Sequence, residues 1–153
     1  MTGRVAVVRR YRDSDWAEWL RMTVGLFPDE AVEALIAGMR TFRVRTDAAL
    51  FVAEREDGSL AGYVEVGERP YADGCATAPV GYIEEWHVDP DVRRCGVGRA
   101  LLSAAEEWAL ERGYDEMASD ALLDNVESHR AHERSGYEEV ERAVRFRKQL
   151  RSE

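Results

Sequence analysis

Arg93-Arg94-Cys95-Gly96-Val97-Gly98-Arg99 has the residue types and spacing of an anion cradle. It lies between a strand-like run, Tyr82 to Val88, and a helical pattern over residues 100–112. A glycine-rich turn that opens a helix gathers free backbone N–H groups at one point, and the helix dipole adds partial positive charge there. Such a turn can hold a phosphate or pyrophosphate. Gly96 and Gly98 let the backbone approach an anion closely, and Arg93, Arg94 and Arg99 bring cations to an otherwise acidic chain. The turn lacks the Gly-Lys-Ser/Thr of a Walker loop and the third glycine of a dinucleotide fingerprint. Taken alone, it reads equally well as a tight strand-to-helix turn with its arginines in solvent. The preceding strand carries an unusual acid, because alternation puts Tyr82, Glu84, Trp86 and Val88 on one face. That face is an odd place for a carboxylate whose only role is to be solvated.

These residues must be positioned by a body of 153 residues, long enough for one domain with a real core. Strands are read over 4–10, 50–54, 60–66, 81–88 and 116–121, with Asp57-Gly58 marking a hairpin turn. Helices are read from Asp13-Ser14 through Thr23, over 30–42, over 100–112 with Gly113 as its C-cap, and over 125–135. Residues 138–150 read as one or two closing strands. This order predicts an α+β fold, a mixed sheet covered by helices on both faces.

A net charge of −9 argues against nucleic acid as a partner, since the phosphate backbone calls for a basic face. The same charge suits a cationic substrate. No apolar run reaches the ~20 residues of a membrane span, and Met1 to Val5 lacks the apolar stretch of a secretory signal. Cys75 and Cys95 form neither a C-x-x-C pair nor a metal spacing, so the plain reading is a cytoplasmic chain with free thiols and no metal.

The spacing Arg93-x-x-Gly96-x-Gly98 resembles the acetyl-CoA pyrophosphate loop of the GNAT N-acetyltransferase superfamily, and the element order matches too. Further segments narrow the resemblance to aminoglycoside 6′-N-acetyltransferases: Leu26-Phe27-Pro28, Arg69 to Cys75 with Pro79, Glu116 to Asp120, Asp124-Asn125, Ser128, Ala131-His132 and Gly136 to Arg142. The chain departs from that family at Glu85, where glycine is common, at Ser135-Gly136-Tyr137, and at Arg145-Phe146, where an aromatic pair is usual.

The resemblance implies a single domain over 1–153. Its mostly antiparallel sheet would have six or seven strands and about four helices, splayed between the fourth and fifth strands. Acetyl-CoA would bind at Arg93, Arg94, Cys95, Gly96, Val97, Gly98 and Arg99. Its pantetheine arm would lie along the backbone of Trp86, His87 and Val88, where an N–H donates to the thioester carbonyl. Asn125 would bond the pantetheine amides, or simply cap its helix. Glu84 and Asp120 would hold the acceptor's ammonium groups and relay its proton, although Asp120 also fits a turn residue. Phe27, Tyr71 and Glu141 would complete the acceptor site. His132 falls where the superfamily often has a tyrosine that protonates the departing thiolate, and the alternative is an exposed helix histidine with no task. A homodimer is implied, in which the partner brings Tyr71 or Glu141 to the neighbouring pocket. The function implied is direct acetyl transfer from acetyl-CoA to the 6′-amine of aminoglycosides, conferring resistance. The alternatives are a GNAT acting on a polyamine, amino sugar or peptide N-terminus, and a non-catalytic acyl-CoA-binding module.

Overall fold

A computed structural model of the protein describes residues 4–152, with the side chain of Ala6 left aside. Met1 to Gly3, part of the stretch read for a secretory signal, lie outside the described residues. The chain divides into two compact units, one ending at Asp120 and the other covering Ala121–Glu153. In the first unit the order is β1 (Val5–Arg10), α1 (Trp16–Leu26), α2 (Val32–Arg43), β2 (Ala48–Arg55), β3 (Leu60–Arg69), β4 (Val80–Val88), α3 (Val97–Glu111) and β5 (Met117–Ser119). The second unit carries α4 (Val126–Arg134).

The five strands form one sheet in the order β1-β2-β3-β4-β5. Every pairing is antiparallel except β4 with β5, which is parallel. The fold class matches the α+β expectation, but residues 138–150 form no strand among the described residues, so the count stops at five. Val140, Val144 and Phe146 supply a strand-like alternation, yet they stay 55%, 71% and 92% exposed. Alternation specifies a strand only where one face has something to bury against.

One sheet face packs Leu50, Val52, Leu60 and Tyr63 against Trp19 and Met22 of α1 and Met39 of α2. The other face receives α3, whose Leu101, Leu102, Ala105, Trp108 and Ala109 are all buried, as the helical spacing predicted. Gly62 is one position where β3 leaves no room for a side chain. A Cβ there would stand 2.6 Å from the His87 carbonyl and 3.1 Å from Leu101. Among the described residues no helix is long and apolar enough to cross a membrane.

Candidate functional site

The glycine turn is built on a buried charge network. Asp89 is 7% exposed and accepts hydrogen bonds from Arg21 (3.0 Å), Arg55 (3.2 Å) and the His87 ring (3.0 Å). Arg55 also forks onto Asp91 at 2.7 and 2.9 Å, and the Asp89 N–H donates to Ala61 O at 2.7 Å. Burial pushes the Asp89 carboxyl up, but Arg21, His87 and Arg55 outweigh it and hold the group below the usual carboxylate range. Burial likewise keeps His87 neutral by lowering its pKa. The chain is thus clamped where β4 ends and the turn begins.

Within the turn, Gly96 is the N-cap of α3 with φ +84°, a left-handed conformation that glycine adopts freely, and the space where its Cβ would stand is open. The helix starts at Val97, three residues earlier than the sequence pattern gave. Ala100 N–H is the first to bond back, to Gly96 O, so the amides before it point out of the helix end. Gly98 also serves packing, because a Cβ there would meet the Trp86 indole at 3.0 Å. Arg93 turns back to donate to Val88 O at 3.1 Å, and Cys95 is exposed and free. An open, dipole-positive helix end fits a pyrophosphate.

Beside the turn, β4 outruns its neighbour. It pairs with β5 only at Gly81, Tyr82 and Ile83, while Glu84 to Val88 have no β5 partner, so the expected splay is present. On its other side a bulge shifts the register: Val66 faces Ile83 but Glu65 faces Glu85, leaving Glu84 as the extra residue. The bulge corrects the alternation reading. Trp86 packs towards Gly98 of α3, whereas Tyr82 and Glu84 meet Arg69 on the opposite face.

Glu84 and Asp120, the two acids singled out in the sequence, are brought into one cluster. Arg69 forks onto Glu84 at 2.8 and 2.7 Å, and its guanidinium carbon sits 3.5 Å from the centre of the Tyr82 ring. The Tyr82 hydroxyl donates a short hydrogen bond to Asp120, and burial together with that bond raises its pKa. Glu84 and Asp120 are therefore linked through Arg69 and Tyr82. Asp120 lies just past β5, which is three residues long and shorter than expected. Phe27 is half-buried just after α1, and Tyr71 is 69% exposed in the β3–β4 loop.

In the second unit, Asn125 caps α4 by accepting from Ser128 N–H at 3.1 Å, so its capping role is present. His132 Nδ1 lies 2.7 Å from Ser128 O, which puts the proton on Nδ1, and its ring meets Tyr137 edge-on at 5.7 Å. Glu141 is exposed in the extended segment that follows. Among the described residues no group of His, Cys, Asp or Glu gathers as a metal site.

Three features escaped the sequence reading. The Asp89 network was signalled only by Asp89-Pro90-Asp91, which reads as a turn. Arg69 was noted in a motif without a partner. Glu65 and Glu85 form a buried acid pair, and the available hint was a glutamate inside the apolar run Leu60 to Val66.

The acetyltransferase (GNAT) family model matches residues 8–137. The chain is 37% identical to the aminoglycoside N(6′)-acetyltransferase type 1 of Stenotrophomonas maltophilia, covering 98% of this chain and 97% of that protein. It is 41% identical to the protein of the same name from Klebsiella aerogenes, over 94% and 97%. A solved structure of AAC(6′)-Iy in complex with a bisubstrate analogue, CoA-S-monomethyl-acetylneamine, superposes with a TM-score of 0.87 at 29% identity, covering 94% of this chain and 98% of that one.

Proposed function

The chain belongs to the GNAT acetyltransferase family, and on that premise we propose that it moves an acetyl group from acetyl-CoA to the 6′-amine of aminoglycosides. The observation that carries this reading is the course of β4. Its unpaired length runs past the acids Glu84 and Asp120 and straight into the open, dipole-positive start of α3. One strand thus joins a place for a cation to a place for a pyrophosphate.

The turn from Arg93 to Arg99 holds the co-substrate's phosphates through the amides of the α3 start. The backbone of Trp86, His87 and Val88, open on the β5 side, pairs with its pantetheine arm and supplies an N–H to the thioester carbonyl. Acetyl-CoA, when bound, contributes the activated acyl group. Glu84 and Asp120 hold the acceptor's ammonium groups, which requires Arg69 to share or yield Glu84. A carboxylate is a weak base for an ammonium, so positioning is their main task and proton relay comes second. His132 keeps one proton on Nδ1, donated to Ser128 O, so it gives a proton to the departing thiolate only as the imidazolium, from a second proton on Nε2. Asn125 contributes to the pantetheine site, and Phe27, Tyr71 and Glu141 to acceptor binding.

The family match runs across both compact units, which supports reading 1–153 as one working domain. The exposed Val140, Val144 and Phe146 support a homodimer in which these residues are buried. We place the enzyme in the cytoplasm, acting on a small cationic amine without nucleic acid, membrane or metal.

Thiol release with kanamycin and acetyl-CoA tests the function, with NMR of the product locating the new acetyl group. The expected product carries it on the 6′-nitrogen. Acetylation of spermidine or a peptide amine with no turnover of kanamycin would overturn the substrate assignment.

A further inference from the structure

Glu65 sits in the middle of β3, 3% exposed, and Glu85 faces it directly across the β3–β4 ladder. Cross-strand partners of this kind bring their side chains into contact. The ladder therefore holds two carboxyl groups opposite one another, one of them deep in the fold. Two carboxylates so placed, out of water, favour keeping a proton on one of them.

The surroundings favour keeping it. Tyr63 OH donates to Glu85 Oε1 at 2.7 Å, with Thr23 Oγ1 of α1 3.3 Å behind it. From the same helix the Trp19 indole N–H lies towards Glu65 without closing a bond to Oε2, which is buried and has no partner. The nearby charged and titratable groups on the sheet are Glu84, which repels the pair, and His87, which is committed to Asp89. Among the described residues no arginine or lysine pairs with Glu65 or Glu85. Burial first, and mutual repulsion second, push the Glu65 carboxyl well above the ordinary range, and burial pushes Glu85 upward as well.

A buried, under-compensated acid pair with an unused oxygen has a place for a cation. Glu85 is only half-buried, lies on the part of β4 that has no β5 partner, and directly follows Glu84 of the Glu84–Arg69–Tyr82–Asp120 cluster. We propose that Glu85, backed by Glu65, is a further ammonium subsite of the acceptor cleft, carrying a proton when empty and releasing it when a polyamine docks. The inference rests on the amine-acetyltransferase reading. One carboxyl O–H breaks and its proton leaves to water. The pair passes from one negative charge to two, matched by the incoming ammonium. Glycine at this position, common in the resembled family, provides no such group.

The test is kanamycin binding to wild type, E85Q and E65Q by calorimetry at pH 7, in two buffers of different ionisation enthalpy. It is combined with a ¹³C NMR titration of the glutamate carboxyls in the free proteins and with steady-state kinetics. In wild type, one carboxyl titrates above the ordinary glutamate range and kanamycin binding releases protons. In E85Q that release drops, and KM for kanamycin rises about five- to tenfold with kcat little changed. E65Q removes the Glu65 titration and leaves a single raised carboxyl, that of Glu85, which its burial still holds above the ordinary range. Ordinary titration of both carboxyls in wild type, or equal proton release in wild type and E85Q, would overturn the subsite. If wild type still turns over kanamycin in that case, the acetyltransferase reading stands without it. If wild type neither binds nor acetylates kanamycin, the substrate reading falls and takes the subsite with it.

Discussion

The two ends of the β4 neighbourhood hold their charges in opposite ways. Where β4 enters the glycine turn, Asp89 and Asp91 are met by Arg21, Arg55 and His87, and each acid has a cationic or histidine partner. Around the bulge, among the described residues, the acids Glu65, Glu84, Glu85 and Asp120 have one paired guanidinium, that of Arg69 on Glu84. The first arrangement is saturated and fixes the shape of a turn. The second leaves negative charge uncompensated on partly buried side chains, which is costly unless a cation arrives from outside. Structural charge pairs and charges kept for a ligand are distinguished here by whether the chain itself supplies the counter-ion.

Breaking the saturated end gives the largest expected effect. D89N leaves Arg21 and Arg55 without their shared carboxylate and should lower stability by about 3 kcal/mol, measured by urea unfolding. A loss under about 0.5 kcal/mol would show that the network is not holding the turn. Next is the turn itself. G96D forces an L-residue to φ +84° and puts a negative charge at the dipole-positive end, so acetyl-CoA affinity should fall at least about 100-fold while far-UV circular dichroism is retained. On the unsaturated side, D120A removes the Tyr82 partner and, with it, the ammonium ligand proposed above. It should reduce kcat/KM for kanamycin on the order of 30-fold with acetyl-CoA binding intact.

The smallest effect sharpens the contrast through pH. The Glu65–Glu85 pair keeps a proton that the unfolded chain gives up in the ordinary carboxylate range, so the native state binds more protons there. Stability then falls as pH rises from that range through the raised pKa. E65Q should flatten this slope, leaving the part that belongs to Glu85, and be more stable than wild type by about 1 kcal/mol at pH 8, with the difference shrinking towards pH 4. Asp89 runs the other way. Its lowered pKa makes a contribution that is present above the usual aspartate range and is lost as pH falls through the native value. Thermal melts across pH 3–9 of wild type, D89N and E65Q separate the two slopes.

Legibility in the sequence followed the same division. The turn and α3 could be read because a helical apolar face and a Gly-x-Gly before it are local signals, and the five positions expected to face inward are buried, with Val97 as a sixth. The bulge at Glu84 could not be read, since it depends on which residues of β3 stand opposite. It reversed the facing of Trp86 relative to Glu84. The pairing of Glu65 with Glu85 is a contact between strands 20 positions apart, and only the ladder register creates it. Residues 138–150 show the limit of periodicity, because Val140, Val144 and Phe146 alternate like a strand without any partner in the sheet.

The division of labour along β4 has a direct test in crossed binding measurements. Calorimetry with acetyl-CoA and with kanamycin, each titrated separately into G96D and D120N, should give a crossed pattern. G96D loses acetyl-CoA and keeps kanamycin, and D120N weakens kanamycin and keeps acetyl-CoA. A parallel pattern, with both ligands weakened equally by each substitution in folded protein, would contradict the assignment of the glycine turn to the co-substrate and of the acidic cleft to the amine.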